Sequence, residues 1–213
     1  MSFLEKINST HIDILKEVGN IGAGHAATAL SRLLNKKIDM KVPDVKIASF
    51  NEMMDLIGGP ENVVASVFLR VEGDAPGSMF FILSLEQASH FIQYLTNDPS
   101  FSMEILPYPE LATSALQELG NILSGSYLSS FSDFTGLNLY PSVPAISIDM
   151  IGAIISYGLV ELSHEGDLAI VIDTAFQEED QPITDSVKGH FFYLPDPESF
   201  QKIFKALGVQ DDE

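Results

Sequence analysis

The sequence has no cysteine. That absence excludes a disulfide framework, a thiolate metal site and a cysteine nucleophile, and it fits a reducing compartment. Basic residues are scarce: 11 Lys and Arg stand against 30 Asp and Glu, giving a formal net charge of −19 at pH 7. Non-specific nucleic-acid binding needs clustered Lys and Arg to displace counterions from phosphates, so nucleic-acid partners are excluded. Long apolar runs are missing as well. Stretches such as Met79–Leu83 and Met150–Ile155 fall far short of the roughly 20 residues that a membrane span requires. Residues 1–16 mix charged and apolar side chains and contain no cleavable apolar core. A cytoplasmic protein without membrane insertion is expected. The five histidines are scattered without metal-ligand spacing, and no Gly-x-Ser-x-Gly elbow is present. Gly22-x-Gly24-x-x-Ala27 has a superficial likeness to a dinucleotide fingerprint, but it lies inside a helical pattern rather than at a strand-to-helix junction.

What is present describes an ordinary globular chain, 46% hydrophobic and 19% charged. Its 213 residues suit one large domain or two small intertwined ones. Sliding the sequence against itself by 101 positions exposes a repeat. Glu17-Val18-Gly19-Asn20-Ile21 then lies on Glu118-Leu119-Gly120-Asn121-Ile122. Gly24 falls on Gly125, Ser31 on Ser132, Val42-Pro43 on Val143-Pro144 and Ile47 on Ile148. About ten identities in about thirty ungapped positions argue for internal duplication.

The element pattern repeats too. Residues from about 10 to 35 have helical periodicity, and Ile38 to Phe50 alternates like one strand around Pro43. A short helix from Asn51 to Ile57 ends at Gly58-Gly59-Pro60. Val63–Val71 and Gly77–Leu83 read as a hairpin, and a helix over 85–95 closes the half. After a linker over 99–109, the second half reads as helix 111–133, strand 137–148, helix 149–160, strands 168–176 and 187–194, and helix 197–207. The acidic loop 177–182 and the tail 211–213 read as solvated surface. The expectation is a mixed α/β fold of two α-β-α-β-β-α units with pseudo-two-fold symmetry, two long helices lying on a shared sheet. The chain 1–213 reads as a single domain with internal repeats over about 10–98 and 111–208.

At 100° per residue, Ile12, Ile14, Leu15, Val18, Ile21, Ala26, Ala29, Leu30 and Leu33 of the first helix share the face expected to be buried. Asp13, Glu17, Asn20, Gly24 and Ser31 form a polar stripe opposite. Ser114, Glu118, Asn121, Gly125 and Ser132 form the same stripe in the second half. Spacings of three and four set these side chains along one ridge. Asn is informative there, because it donates and accepts hydrogen bonds at once without titrating near pH 7. Positioning a water molecule needs that combination. Helix-interior glycines cost roughly 1 kcal/mol each relative to Ala. Gly19 and Gly22 point toward the core, whereas Gly24 removes bulk from the ridge.

Asp13-x3-Glu17-x2-Asn20-x22-Pro43 and Ser114-x3-Glu118-x2-Asn121-x22-Pro144 resemble the signature of the CheC/CheX/FliY chemotaxis phosphatase family. The resemblance extends over nearly the whole chain. Two signatures place it nearest the CheC branch, since CheX-like proteins carry one and FliY-like proteins carry an additional C-terminal domain. The resemblance implies hydrolysis of the aspartyl phosphate on the response regulator CheY. It assigns Asn20 and Asn121 to orienting the attacking water, and Glu17 and Glu118 to docking against the regulator's active-site lysine. Mg²⁺ would be held by the regulator, so no cofactor or metal is expected on this chain. Asp13 and Ser114 either support the glutamates or are plain surface. Pro43 and Pro144 are expected to shape the strands that follow the helices. The resemblance also implies a second partner, the receptor deamidase CheD, for which Asp149 and the apolar helix behind it are the candidate surface; the alternative is an internal packing helix capped by Asp149. A monomer is expected. The rival reading is a non-catalytic adaptor that binds CheY-phosphate or CheD.

Overall fold

The computed structural model describes residues 7–159, 168–178 and 186–208. Its elements run α1 (Ser9–Leu34), β1 (Ile38–Lys41), β2 (Val45–Ser49), α2 (Phe50–Leu56), β3 (Val63–Gly73), β4 (Gly77–Ser84), α3 (Leu85–Thr96), α4 (Glu110–Thr135), β5 (Leu139–Pro141), β6 (Ala145–Met150), α5 (Ile151–Leu159), β7 (Leu168–Glu178), β8 (Val187–Pro195) and α6 (Pro197–Ala206). The mixed α/β expectation holds. Each single strand expected after a long helix is instead a pair, split at Val42-Pro43-Asp44 and at Ser142-Val143-Pro144. Proline has no N–H to give a ladder, so pairing breaks on either side of it.

The eight strands among the described residues join one antiparallel sheet in the order β1-β7-β8-β4-β3-β5, with β2 also on β7 and β6 also on β3. The strands that follow α1 therefore pair with β7, and those that follow α4 pair with β3. Each half of the chain completes the sheet of the other. The centre is the β4–β8 pair, in which Phe80 faces Phe192 and Phe81 faces Phe191.

Strand alternation divides the sheet into two faces. Val67, Leu69, Phe81, Ile170, Phe191 and Tyr193 lie on the face covered by α1 and α4, in one buried cluster with Leu15, Leu30, Leu116 and Leu123. Val64, Phe80, Ile82, Val171 and Phe192 face the other way, against Met53 of α2 and Ile151, Ile154 and Ile155 of α5. Burying a side chain of this size contributes roughly 1.5–3 kcal/mol.

The long helices are pinned to each other and to the sheet. A Cβ on Gly22 would lie 2.7 Å from the Tyr127 ring, so this glycine sets how closely α1 approaches α4. The Tyr127 hydroxyl is 2.9 Å from Thr174 Oγ1 on β7. Burial pushes that hydroxyl up to about 12, which keeps it protonated in neutral solution. Gly120 lets α4 settle onto Val67 of β3, where a Cβ would overlap the valine side chain.

The helix-wheel reading needs one correction. Ile21 and Leu33, expected inside, are 44% and 37% exposed, while Gly22, Ala23 and Leu34 are buried. Contact with α4 at Gly22, against Tyr127, rotates the buried stripe toward Gly22 and Ala23. Of the acidic loop, Gln177 and Glu178 belong to β7 and pair with β1. The rest of that loop, and the tail 211–213, lie outside the described residues.

Candidate functional site: two Glu-x-x-Asn ridges

Helix α1 begins at a capping box in which Asn8 and His11 satisfy each other's backbone N–H groups. The helix then carries Asp13, Glu17, Asn20 and Gly24, all exposed, along one ridge. At its far end Ser31 Oγ donates to Ala27 O and accepts from Ile38 N. This fixes the departure of β1, which runs back until Val42 lies beside Asn20. There the Val42 N–H donates to Asn20 Oδ1 at 3.2 Å. The bond turns the Asn20 amide nitrogen, with its two donors, away from the strand. The 22-residue spacing from Asn to Pro thus has a physical cause, because it is the length of chain that returns the strand to the level of the asparagine.

Helix α4 repeats the plan with different fixings. Ser132 Oγ accepts from Leu139 N at 3.2 Å and sets the start of β5. Ser114, Glu118 and Asn121 are exposed along the ridge, with Gly125 half-buried beyond them. Asn121 has no side-chain hydrogen bond among the described residues, and its strand is held by another group. Gln117 Nε2 donates to Pro144 O at 2.6 Å. Ser114, Gln117, Glu118, Asn121, Val143 and Pro144 border an open depression between helix and loop. Among the described residues neither Glu17 nor Glu118 has a hydrogen-bond or ion-pair partner, so both carboxylates face outward unspent.

Sequence reasoning had no means of finding the Val42 N–H or Gln117. One is a backbone group and the other is a polar residue beside the ridge; both act through contacts 22 and 27 residues away. Asp13 and Ser114 are exposed and one turn from their glutamates, but no hydrogen bond joins either pair among the described residues. Asp149 does not cap a helix. It lies in β6, exposed, and its Oδ1 accepts from Met150 N at 2.7 Å. Helix α5 starts two residues later, where Ile151 N and Gly152 N donate to Asn62 O and Pro60 O. Ile151, Ile154 and Ile155 are buried, so this side of the expected docking helix is core. An apolar groove remains between β6 and α5, bordered by Phe68, Phe80, Ile146, Asp149, Ala153 and Ile154. No described helix is long and apolar enough to cross a membrane.

A model of the CheC-like family matches residues 11–47 and 111–148, the two segments that run from ridge to proline and into the following strand. The chain is 54% identical over 209 residues to the CheY-P phosphatase CheC of Bacillus subtilis, covering 98% of this chain and 99% of that protein. It is 28% identical over 151 residues to the flagellar motor switch phosphatase FliY of the same organism, covering 68% of this chain and 37% of FliY. Its fold is similar to that of Thermotoga maritima FliY, with a TM-score of 0.73 at 20% identity, over 94% of this chain and 98% of that one. With both ridge segments matched and more than half the residues shared with a full-length relative, the chain belongs to the CheC-like family.

Proposed function

We propose that this protein hydrolyses the aspartyl phosphate of the response regulator CheY, using Asn20 and Asn121 to orient the attacking water and Glu17 and Glu118 to dock the regulator. The observation that carries this reading is the recurrence of one exposed Glu-x-x-Asn pair on two helices, each beside a returning Val-Pro segment. The name of the Bacillus subtilis relative supports the substrate. Phosphoryl transfer asks little covalent work of a protein, so in-line positioning of water can dominate. A hundredfold gain from ordering that water lowers the barrier by roughly 2.7 kcal/mol. An outward-turned amide nitrogen and an unspent carboxylate are the groups such a step needs, with Mg²⁺ held by the regulator's own carboxylates. The protein acts in the cytoplasm as a monomer carrying two sites. Phosphate release from phosphorylated CheY, at protein well below substrate, tests the reading. Turnover that depends on the asparagines supports it. Stoichiometric binding without turnover favours an adaptor.

Gly24 and Gly125 supply a second test. A Cβ at either position would meet nothing within 4 Å. Gly24→Ala and Gly125→Ala should therefore each raise stability by about 0.5–1 kcal/mol through helix propensity. On a ridge that receives a partner backbone, the same methyl group obstructs the approach. The expected result is a higher melting temperature with severalfold lower turnover. A gain in stability with unchanged turnover would show that the partner does not approach there.

We also assign the groove between β6 and α5, with Asp149 at its border, to CheD. Asp149→Lys reverses an exposed charge without touching the core, so CheD binding should weaken at least tenfold in a pull-down or calorimetric titration. Binding at wild-type strength would remove the assignment.

A further inference from the structure

The two ridges carry the same Glu-x-x-Asn pair, but their rims differ at positions related by the repeat. Val42 and Val143 are the same residue in the same place beside the asparagine. Val42 is 3% exposed and Val143 is 86% exposed. A single exposed valine is ordinary. This one is held out from both sides: Ser142 N donates to Arg70 O and Ser142 Oγ accepts from Arg70 N, while Pro144 O accepts from Gln117 Nε2. Fixed neighbours leave the valine no route inward. At the other end of the ridge, Thr10 of the first half corresponds to Leu111, which is 61% exposed. Leu111, Ser114, Glu118 and Asn121 follow spacings of three, four and three, so the leucine continues the ridge itself.

We infer that Val143 and Leu111 are specificity-determining residues of the second site, forming an apolar rim that grips the face of the regulator around its phosphorylated aspartate. The inference rests on the proposed phosphatase reading. The occupant follows from continuity, since Val143 borders the same depression as Glu118 and Asn121, and whatever reaches those two must lie against it. The first site has no counterpart at these two positions, because Val42 is spent in the core and Thr10 is polar; its exposed apolar neighbour is instead Ile21, one turn from Glu17. The two sites therefore present apolar area at different positions, and only the second can grip a partner through Val143 and Leu111.

The test measures phosphate release against phosphorylated CheY concentration in two backgrounds, Asn20→Ala with only the second site and Asn121→Ala with only the first. In the Asn20→Ala background, Val143→Asp is expected to raise KM about tenfold, the scale of one valine side chain lost from an interface. There kcat should stay within about twofold, and Leu111→Thr should move KM in the same direction. In the Asn121→Ala background neither substitution should change either constant. An unchanged KM in the first background, a loss confined to kcat, or an equal effect in both backgrounds would overturn the inference. If the unsubstituted protein shows no turnover, the phosphatase reading fails by itself. Affinity for beryllofluoride-loaded CheY then decides the rim: weaker binding by Val143→Ala supports it, and equal binding overturns it.

Discussion

Replacing both Asn20 and Asn121 with Ala is expected to reduce turnover of phosphorylated CheY by about hundredfold or more, the loss that follows when a water is no longer ordered in line. Each single variant should retain the activity of the other site. The fold should survive, because both side chains are exposed. The cost is not equal at the two positions. Asn20 Oδ1 accepts the Val42 N–H, so Asn20→Ala leaves that donor without its partner and should cost about 1 kcal/mol of stability. Asn121 makes no such bond among the described residues, and Asn121→Ala should melt at or slightly above the wild-type temperature, because Ala is the better helix former. Asn20→Asp separates structure from chemistry at the first site. It keeps an acceptor for Val42 but removes the outward donors and adds a negative charge facing a phosphoryl group. It should restore the melting temperature without restoring turnover. Unchanged multiple-turnover phosphate release by the folded double variant would sink the mechanism, whatever the protein binds.

Much of this architecture is legible in the sequence because its signals are local. Helical periodicity and polar ridges depend on residues three and four apart, and the exposure of Glu17, Asn20, Glu118 and Asn121 follows from that spacing. The hairpin of β3 and β4 is likewise announced by two apolar runs joined through the turn residues Glu72-Gly73-Asp74-Ala75-Pro76. What local reasoning misses is set by distant parts of the chain. Alternation over 38–50 reads as one strand, because the break at Pro43 shows only when the partner strand β7 is in place. The pairing of β1 and β2 with β7 crosses between the halves and leaves no mark in any short window. Ile21 and Leu33 lie on the apolar side of the helix wheel, yet burial falls on Gly22, Ala23 and Leu34 beside them instead. Val42 and Val143 make the point most sharply. Two identical dipeptides at equivalent positions have opposite burial, because Asn20 binds one strand and Gln117 binds the other.

The largest effect on stability is expected at Gly73, where β3 turns toward β4. Its φ is +109°, a conformation that side-chain-bearing residues rarely adopt, and a Cβ there would overlap the carbonyl oxygen of Asn138. That oxygen is already committed, accepting from Asp74 N at 2.9 Å. Asp74 Oδ2 in turn accepts from the Asn138 backbone N at 2.8 Å and from its Nδ2 at 3.0 Å. These bonds hold the Asp74 carboxyl below the usual carboxylate range, so the clamp contributes fully above that range and is lost only as pH falls below it, through the lowered value. Gly73→Ala therefore meets two penalties, backbone strain of about 1–3 kcal/mol and overpacking of similar size. A combined loss of about 3–5 kcal/mol is a large part of the 5–15 kcal/mol that holds a typical domain folded. It should lower the melting temperature by about 10 °C or more. Gly59→Ala is the control that divides the two terms: φ there is +97°, but a Cβ would meet nothing within 4 Å. It should show the strain alone, and equal melting shifts for the two variants would mean that the clash with Asn138 is absorbed. The consequence for function runs through the same contact. Asn138 leads directly into β5 and the Pro141–Pro144 loop, so loosening the clamp frees the wall beside Asn121, and Gly73→Ala should impair the second site before the first.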